Sequence, residues 1–152
     1  MKIKHPNNEG YPIFVTTSCF EAEPFFHESE AAELVIEQIN RLRTLNIWWV
    51  SEYIVMPDHV HLIIFPFKTM GYCMQEFKKS CSRLINWKKG IRGVKIWLDE
   101  YHARVILNEK EYQAKVEYIW WNPVKAGLVK SPEEWKFSSA NPLCITDREK
   151  FY

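Results

Sequence analysis

No stretch of this 152-residue chain has enough consecutive apolar residues to cross a membrane, and Met1-Lys2-Ile3-Lys4-His5 is not followed by a signal-peptide core. The expectation is a cytoplasmic protein with no membrane partner. None of the four cysteines, Cys19, Cys73, Cys81 and Cys144, belongs to a Cys-x-x-Cys pair, which argues against a zinc ribbon; reduced thiols suit a core of this size. A large excess of one charge is also missing. The net charge is +1, so any nucleic-acid surface must be a local patch. Without repeats, low-complexity segments or linkers, residues 1–152 read as one domain, with a loose polar arm over 1–10 and an irregular extension over 131–152. A hydrophobic content of 47% excludes general disorder, and seven Trp are enough that some rings can be exposed for stacking, although burial is their default use.

What is present centres on Met56-Pro57-Asp58-His59-Val60-His61-Leu62-Ile63-Ile64-Phe65. Pro57 and Asp58 make a turn, and the apolar, β-branched run over 60–65 reads as a strand. Side chains alternate along a strand, so His59 and His61 point the same way, about 7 Å apart. Two such imidazoles can converge on one metal ion, or can be two surface histidines.

Around this strand the chain alternates. A strand is expected over 13–17, a helix over 29–45 with Ser29 as N-cap, and a strand over 47–55 that forms a hairpin with the histidine strand. A second helix is expected over 70–89. From Glu76 onward its basic residues and those just beyond it are Lys78, Lys79, Arg83, Lys88, Lys89, Arg92 and Lys95, against the single acid Glu76 before Asp99. A solvated helix face is one reading; a phosphate-binding surface explains the missing carboxylates better. Short strand pieces follow at 96–98 and 103–107. Asn108 and Glu111 then form a capping box that opens a helix running to about Asn122 or a turn beyond, with Pro123 ending or kinking it and Gly127 as C-terminal cap.

On that last helix Tyr118 and Asn122 are four residues apart and share a face. Alone they are an ordinary hydrogen-bonded surface pair. Beside the histidines they complete a set: two nitrogen ligands, a carbonyl oxygen and a phenol nucleophile. That set suits phosphodiester cleavage, in which a divalent ion polarises the phosphate and Tyr118 attacks phosphorus. A phenol is a weak acid, so a nearby cation or base must help it ionise. Imidazole ligands favour Mn, Fe or Zn, while abundance in the cell favours Mg.

These residues resemble a known family. His59-Val60-His61 after Met-Pro-Asp is similar to the HUH motif of single-tyrosine HUH transposases. The segment from Tyr118 through Asn122-Pro123 to Gly127-Leu128-Val129 resembles the tyrosine helix of REP-associated tyrosine transposases, and Trp135-Lys136-Phe137-Ser138-Ser139 resembles their tail. The resemblance implies an α+β, ferredoxin-like fold with a central antiparallel sheet, and cutting of single-stranded DNA near hairpins through a 5′-phosphotyrosine intermediate. It assigns Tyr118 as nucleophile and His59, His61 and Asn122 as ligands of a divalent metal, Mg or Mn. It implies single-stranded or hairpin DNA as partner, a location on the nucleoid, and leaves a homodimer open, since relatives occur in both states. Glu21, Ala22 and Glu23 stand where the family's first loop carries Arg, Gly and Asn, and Lys136 stands where Pro is usual. Two other functions remain: a non-catalytic single-strand binder, which would survive EDTA and form no covalent adduct, and a small-phosphoester metallohydrolase.

Overall fold

The computed structural model describes residues 10–152, so the arm expected over 1–10 lies, apart from Gly10, outside the described residues. In chain order come β1 (Ile13–Ser18), α1 (Ser29–Thr44), β2 (Trp48–Met56), β3 (His59–Pro66), α2 (Met70–Lys88), β4 (His102–Val105) and α3 (Glu109–Lys125). The strands form one sheet in the order β2-β3-β1-β4, every neighbouring pair antiparallel. This is the ferredoxin-like α+β arrangement, with α3 added on the open face.

The pleat sorts side chains between two cores. Val15, Val60, Leu62 and Ile64 point toward α1 and α2, where Val35, Ile39, Leu42, Phe77, Cys81 and Ile85 cover them. Ile63 and Phe65 point the other way, toward Tyr112, Val116 and Ile119 of α3. Period two then places His59 and His61 on the α3 face. In β2 the alternation is reset by a bulge between Val50 and Glu52. The extra residue lets Trp48, Val50, Tyr53 and Val55 all join the α1/α2 core, while Ile54 and Met56 join the other.

The helix ends differ in detail from the expectation. Ser29 is already helical, and Glu28 is the N-cap, without a side-chain bond. Asn108 does cap α3, its Oδ1 accepting from Glu111 N at 2.9 Å, but the Glu111 carboxylate accepts from Leu107 N, one residue further back than a capping box requires. Pro123 lies inside α3, which continues to Lys125, within the turn expected beyond Asn122. There Gly127, at φ +75°, donates to Val124 O and Leu128 donates to Pro123 O, the paired bonds of a Schellman cap. The expected piece at 96–98 is not a strand but a bridge: Trp97 pairs with Cys19, and Leu98 N donates to Ser18 O.

The segment after α3 seals the outer edge of β2. Val55 N donates to Phe137 O, Ser139 N to Tyr53 O, Tyr53 N to Ser139 Oγ, Asp147 N to Val50 O and Val50 N to Asp147 Oδ2. An edge so occupied cannot pair with a second copy. Burial pushes the Cys19 thiol up to about 12 and the Cys73 thiol up to about 11, so these are inert core cysteines. Among the described residues no helix is long and apolar enough to cross a membrane.

Candidate active site and nucleic-acid interface

Two residues apart on β3, the imidazoles of His59 and His61 have ring centroids 4.8 Å apart. Each is oriented by a partner on Nδ1. Register sets Thr16 of β1 opposite His61, and the Thr16 hydroxyl lies 2.8 Å from His61 Nδ1. The Asp58 carboxylate, in the turn just before the strand, lies 2.7 Å from His59 Nδ1. A carboxylate only accepts, so Nδ1 of His59 carries the proton. His61 Nε2 faces the Asn122 amide nitrogen at 3.4 Å, and it accepts there, which leaves the proton on Nδ1 to donate to Thr16. Both rings therefore turn Nε2, the nitrogen left for a metal, away from their supports. His61 is 4% exposed, and that burial, with the charges of His59 and Lys115, drives its pKa down to about 3. It is a neutral nitrogen donor over the whole working range of pH.

The other half comes from α3. Tyr112, Val116, Ile119 and Pro123 form its buried stripe. The adjacent stripe, Lys115, Tyr118 and Asn122, runs along the rim of the histidine pocket, as spacings of three and four dictate. The Tyr118 ring stands edge-on to His61, centroids 5.2 Å apart, and 44% of the residue is exposed. Phe14 stacks on His61 at 5.5 Å and meets Tyr118 edge-on at 5.9 Å, forming the apolar wall that both rings share. Lys115 Nζ sits 4.6 Å from the Phe14 ring and 5.7 Å from the Tyr118 ring. Opposite Phe14 and Thr16, β4 presents exposed Arg104 and His102 on the same face of the sheet.

The four residues expected to carry chemistry are thus brought together. Two imidazole nitrogens and, after a rotation of its amide, the Asn122 oxygen fit a divalent ion. Among the described residues no three His, Cys, Asp or Glu side chains gather into a cluster. Sequence reasoning missed Thr16, Asp58 and Lys115 as members of the site. Only Asp58, next in sequence to His59, carried a signal; Thr16 needs the strand register, and Lys115 needs the helix turn counted backward from Tyr118.

The seven basic residues divide. Lys78, Lys79, Arg83, Arg92 and Lys95 line a groove between α2 and the loop over 90–99. Lys88 and Lys89 lie toward α1, beside Ala31 and Leu34, with Lys89 Nζ 3.6 Å from Glu28. Lys95 pairs with Asp99 at 2.9 Å, and Lys78 donates to the carbonyls of Leu98 and Asp99. Lys79, Arg83, Lys88 and Arg92 have no ion pair among the described residues.

No family model matches the chain. It is 31% identical over 91 residues to the REP-associated tyrosine transposase of Escherichia coli K12, covering 59% of this chain and 53% of that protein. It is 26% identical over 96 residues to a Haemophilus influenzae protein provisionally given the same name, covering 56% and 54%. The chain spans about half the length of the curated relatives it matches. A solved structure of a REP-associated tyrosine transposase bound to a REP hairpin superposes with a TM-score of 0.72 at 22% identity, over 95% of this chain and 88% of that one. The fold is therefore that of this transposase.

Proposed function

We propose that this chain, similar to REP-associated tyrosine transposases in sequence and in fold, is itself a transposase-type nuclease that cuts single-stranded DNA beside hairpins and holds the cut end on Tyr118. The observation that carries the reading is the meeting of Tyr118 and Asn122 with His59 and His61, from a helix and a strand far apart in sequence, on one half-open wall.

His59, His61 and Asn122 would hold a divalent ion, Mg or Mn, which when bound supplies charge to polarise the scissile phosphate. The chain's own residues do the rest. The Tyr118 oxygen gives up its proton to water and attacks phosphorus, the bond from phosphorus to the 3′ oxygen breaks, and that oxygen leaves with the electron pair and takes up a proton from water. A 5′-phosphotyrosine and a free 3′ hydroxyl result, and the retained ester can be rejoined by attack of another 3′ hydroxyl. Phe14 and His61 hold the phenol ring in place. Lys115 places a positive charge beside the phenol ring, where it favours the negative charge that develops on the phosphorane. Lys115→Gln is expected to slow adduct formation about tenfold with DNA affinity little changed, read as adduct yield against time at saturating DNA.

The direct test uses a hairpin oligonucleotide labelled at its 3′ end, incubated with Mn. A labelled band at protein mass on a denaturing gel is expected, absent with EDTA and absent when the label is at the 5′ end. A labelled adduct only from the 5′ end would reverse the chemistry. The metal assignment has its own check. Thr16→Val keeps the shape of β1 but frees His61 Nδ1, and should weaken Mn binding roughly 10- to 100-fold by calorimetry, with a stability loss of about 1–3 kcal/mol from the buried N–H left unsatisfied.

A further inference from the structure

The basic groove lies on the face of the sheet opposite the histidines and takes no part in the chemistry above. It encloses about 1060 Å³ between α2 and the loop over 90–99, larger than the roughly 300–1,000 Å³ that a small ligand occupies. Three ties from α2 hold the loop open. Asn86 bonds both the amide and the carbonyl of Val94, Lys78 binds the carbonyls of Leu98 and Asp99, and the Trp97 indole donates to Lys78 O. Gly90, at φ +67°, turns the chain out of α2 through a Schellman cap, donating to Trp87 O while Ile91 donates to Asn86 O.

The walls are of two kinds. Lys79, Arg83 and Trp87 form one exposed i, i+4 ridge along α2, and Trp87 is 73% exposed, the most exposed aromatic ring in the described chain. Facing it, Ile91, Val94 and Leu98 are also more than a third exposed. The one acid lining the groove, Asp99, is neutralised by Lys95. An exposed indole and apolar floor under a rim of cations unpaired among the described residues match a chain with alternating phosphates and accessible base faces. Duplex DNA hides those faces; a single strand offers them. The position is suitable too. The groove wall at Leu98 bonds to Ser18, and Ser18 is the β1 partner of His59. Groove and histidines thus share one end of the sheet.

We infer that this groove binds an unpaired stretch of DNA, with a base stacked on Trp87 and phosphates on Lys79, Arg83 and Arg92, and that the strand passes round the end of the sheet toward Tyr118; the choice of DNA rests on the function proposed above. The test is fluorescence anisotropy of the full chain with a labelled thymidine oligomer and with a blunt duplex, in EDTA. The single strand should bind more tightly than the duplex. Trp87→Ala should weaken single-strand binding roughly tenfold, and Lys79→Gln with Arg83→Gln should flatten the salt dependence by about 1.4 in log–log slope. Circular dichroism melting of each variant confirms that the fold is kept. Single-strand binding indifferent to both changes overturns the groove, as does a preference for duplex, or an acidic peptide that binds through Trp87 when the oligomer does not. The tyrosine adduct is scored separately on the unmodified protein. Trp87-dependent binding without any adduct supports the groove and overturns the proposed chemistry; an adduct with Trp87-independent binding does the reverse.

Discussion

Phenylalanine at position 118 should abolish covalent capture of DNA, lowering adduct yield roughly 10³-fold or more, while leaving the fold and DNA affinity almost untouched. The asymmetry follows from where the phenol sits. Tyr118 is 44% exposed on the rim stripe of α3, outside the buried stripe that anchors the helix. Its hydroxyl has no hydrogen-bond partner among the described residues, so removing it leaves no buried group unsatisfied, and the stability change should stay within about 0.5 kcal/mol. The ring contacts with His61 and Phe14 survive in phenylalanine. Only the oxygen proposed to attack phosphorus is lost. Residual adduct at wild-type yield would mean that another side chain is the nucleophile, and residual cleavage without adduct would mean that water attacks directly. Either result removes Tyr118 from its proposed role, whereas equal melting temperatures exclude misfolding as the cause.

Much of this site was legible because its chemistry is written in local spacing. His-x-His on a strand and Tyr-x-x-x-Asn on a helix each fix a face by periodicity alone. What spacing does not give is register. Thr16 looks like any β-branched strand residue until pairing sets it opposite His61. The bulge between Val50 and Glu52 was invisible for a similar reason: an extra residue shows only in the pairing of β2 with β3, not in the residue types of β2 itself. The basic residues read as one surface in the sequence. Their helical spacing already separates the Lys79, Arg83, Trp87 ridge from Lys88 and Lys89, yet a groove needs a second wall, and that wall is a glycine-bounded loop with no regular element of its own. Pro123 was readable as marking the end of α3 to within a turn, and it is accommodated in the last turn, where the helix needs only a few more bonds before Gly127 closes it.

The link between the tail and the site offers the second large effect. Glu52, in the bulged stretch of β2, is fully buried. Its carboxylate accepts from the Trp120 indole at 2.6 Å, from Ser139 Oγ at 2.8 Å and from the Arg148 guanidinium at 2.6 and 2.9 Å. Trp120 is two residues past Tyr118, and Arg148 also lies over its ring, 5.4 Å from the centroid. One carboxylate therefore ties β2, the tyrosine helix and the tail together. Arg148→Ala would leave that charge in the core with two neutral donors. Breaking a buried pair typically costs 3–5 kcal/mol; because the Arg148 side chain is 47% exposed, water can reach the gap, and about 2 kcal/mol is expected. That corresponds to a fall of roughly 4–8 °C in melting temperature for a chain of this size. The loss should be partly recovered in the double variant Arg148→Ala with Glu52→Gln, since an amide needs no counter-charge yet still accepts from Trp120. Loosening the tail also uncovers the amides and carbonyls of Val50, Tyr53 and Val55, so the single variant should self-associate more at high concentration, read by sedimentation. A melting temperature unchanged in Arg148→Ala, or a double variant less stable than the single, would show that the tail holds by its backbone bonds alone and that Glu52 is satisfied without its cation.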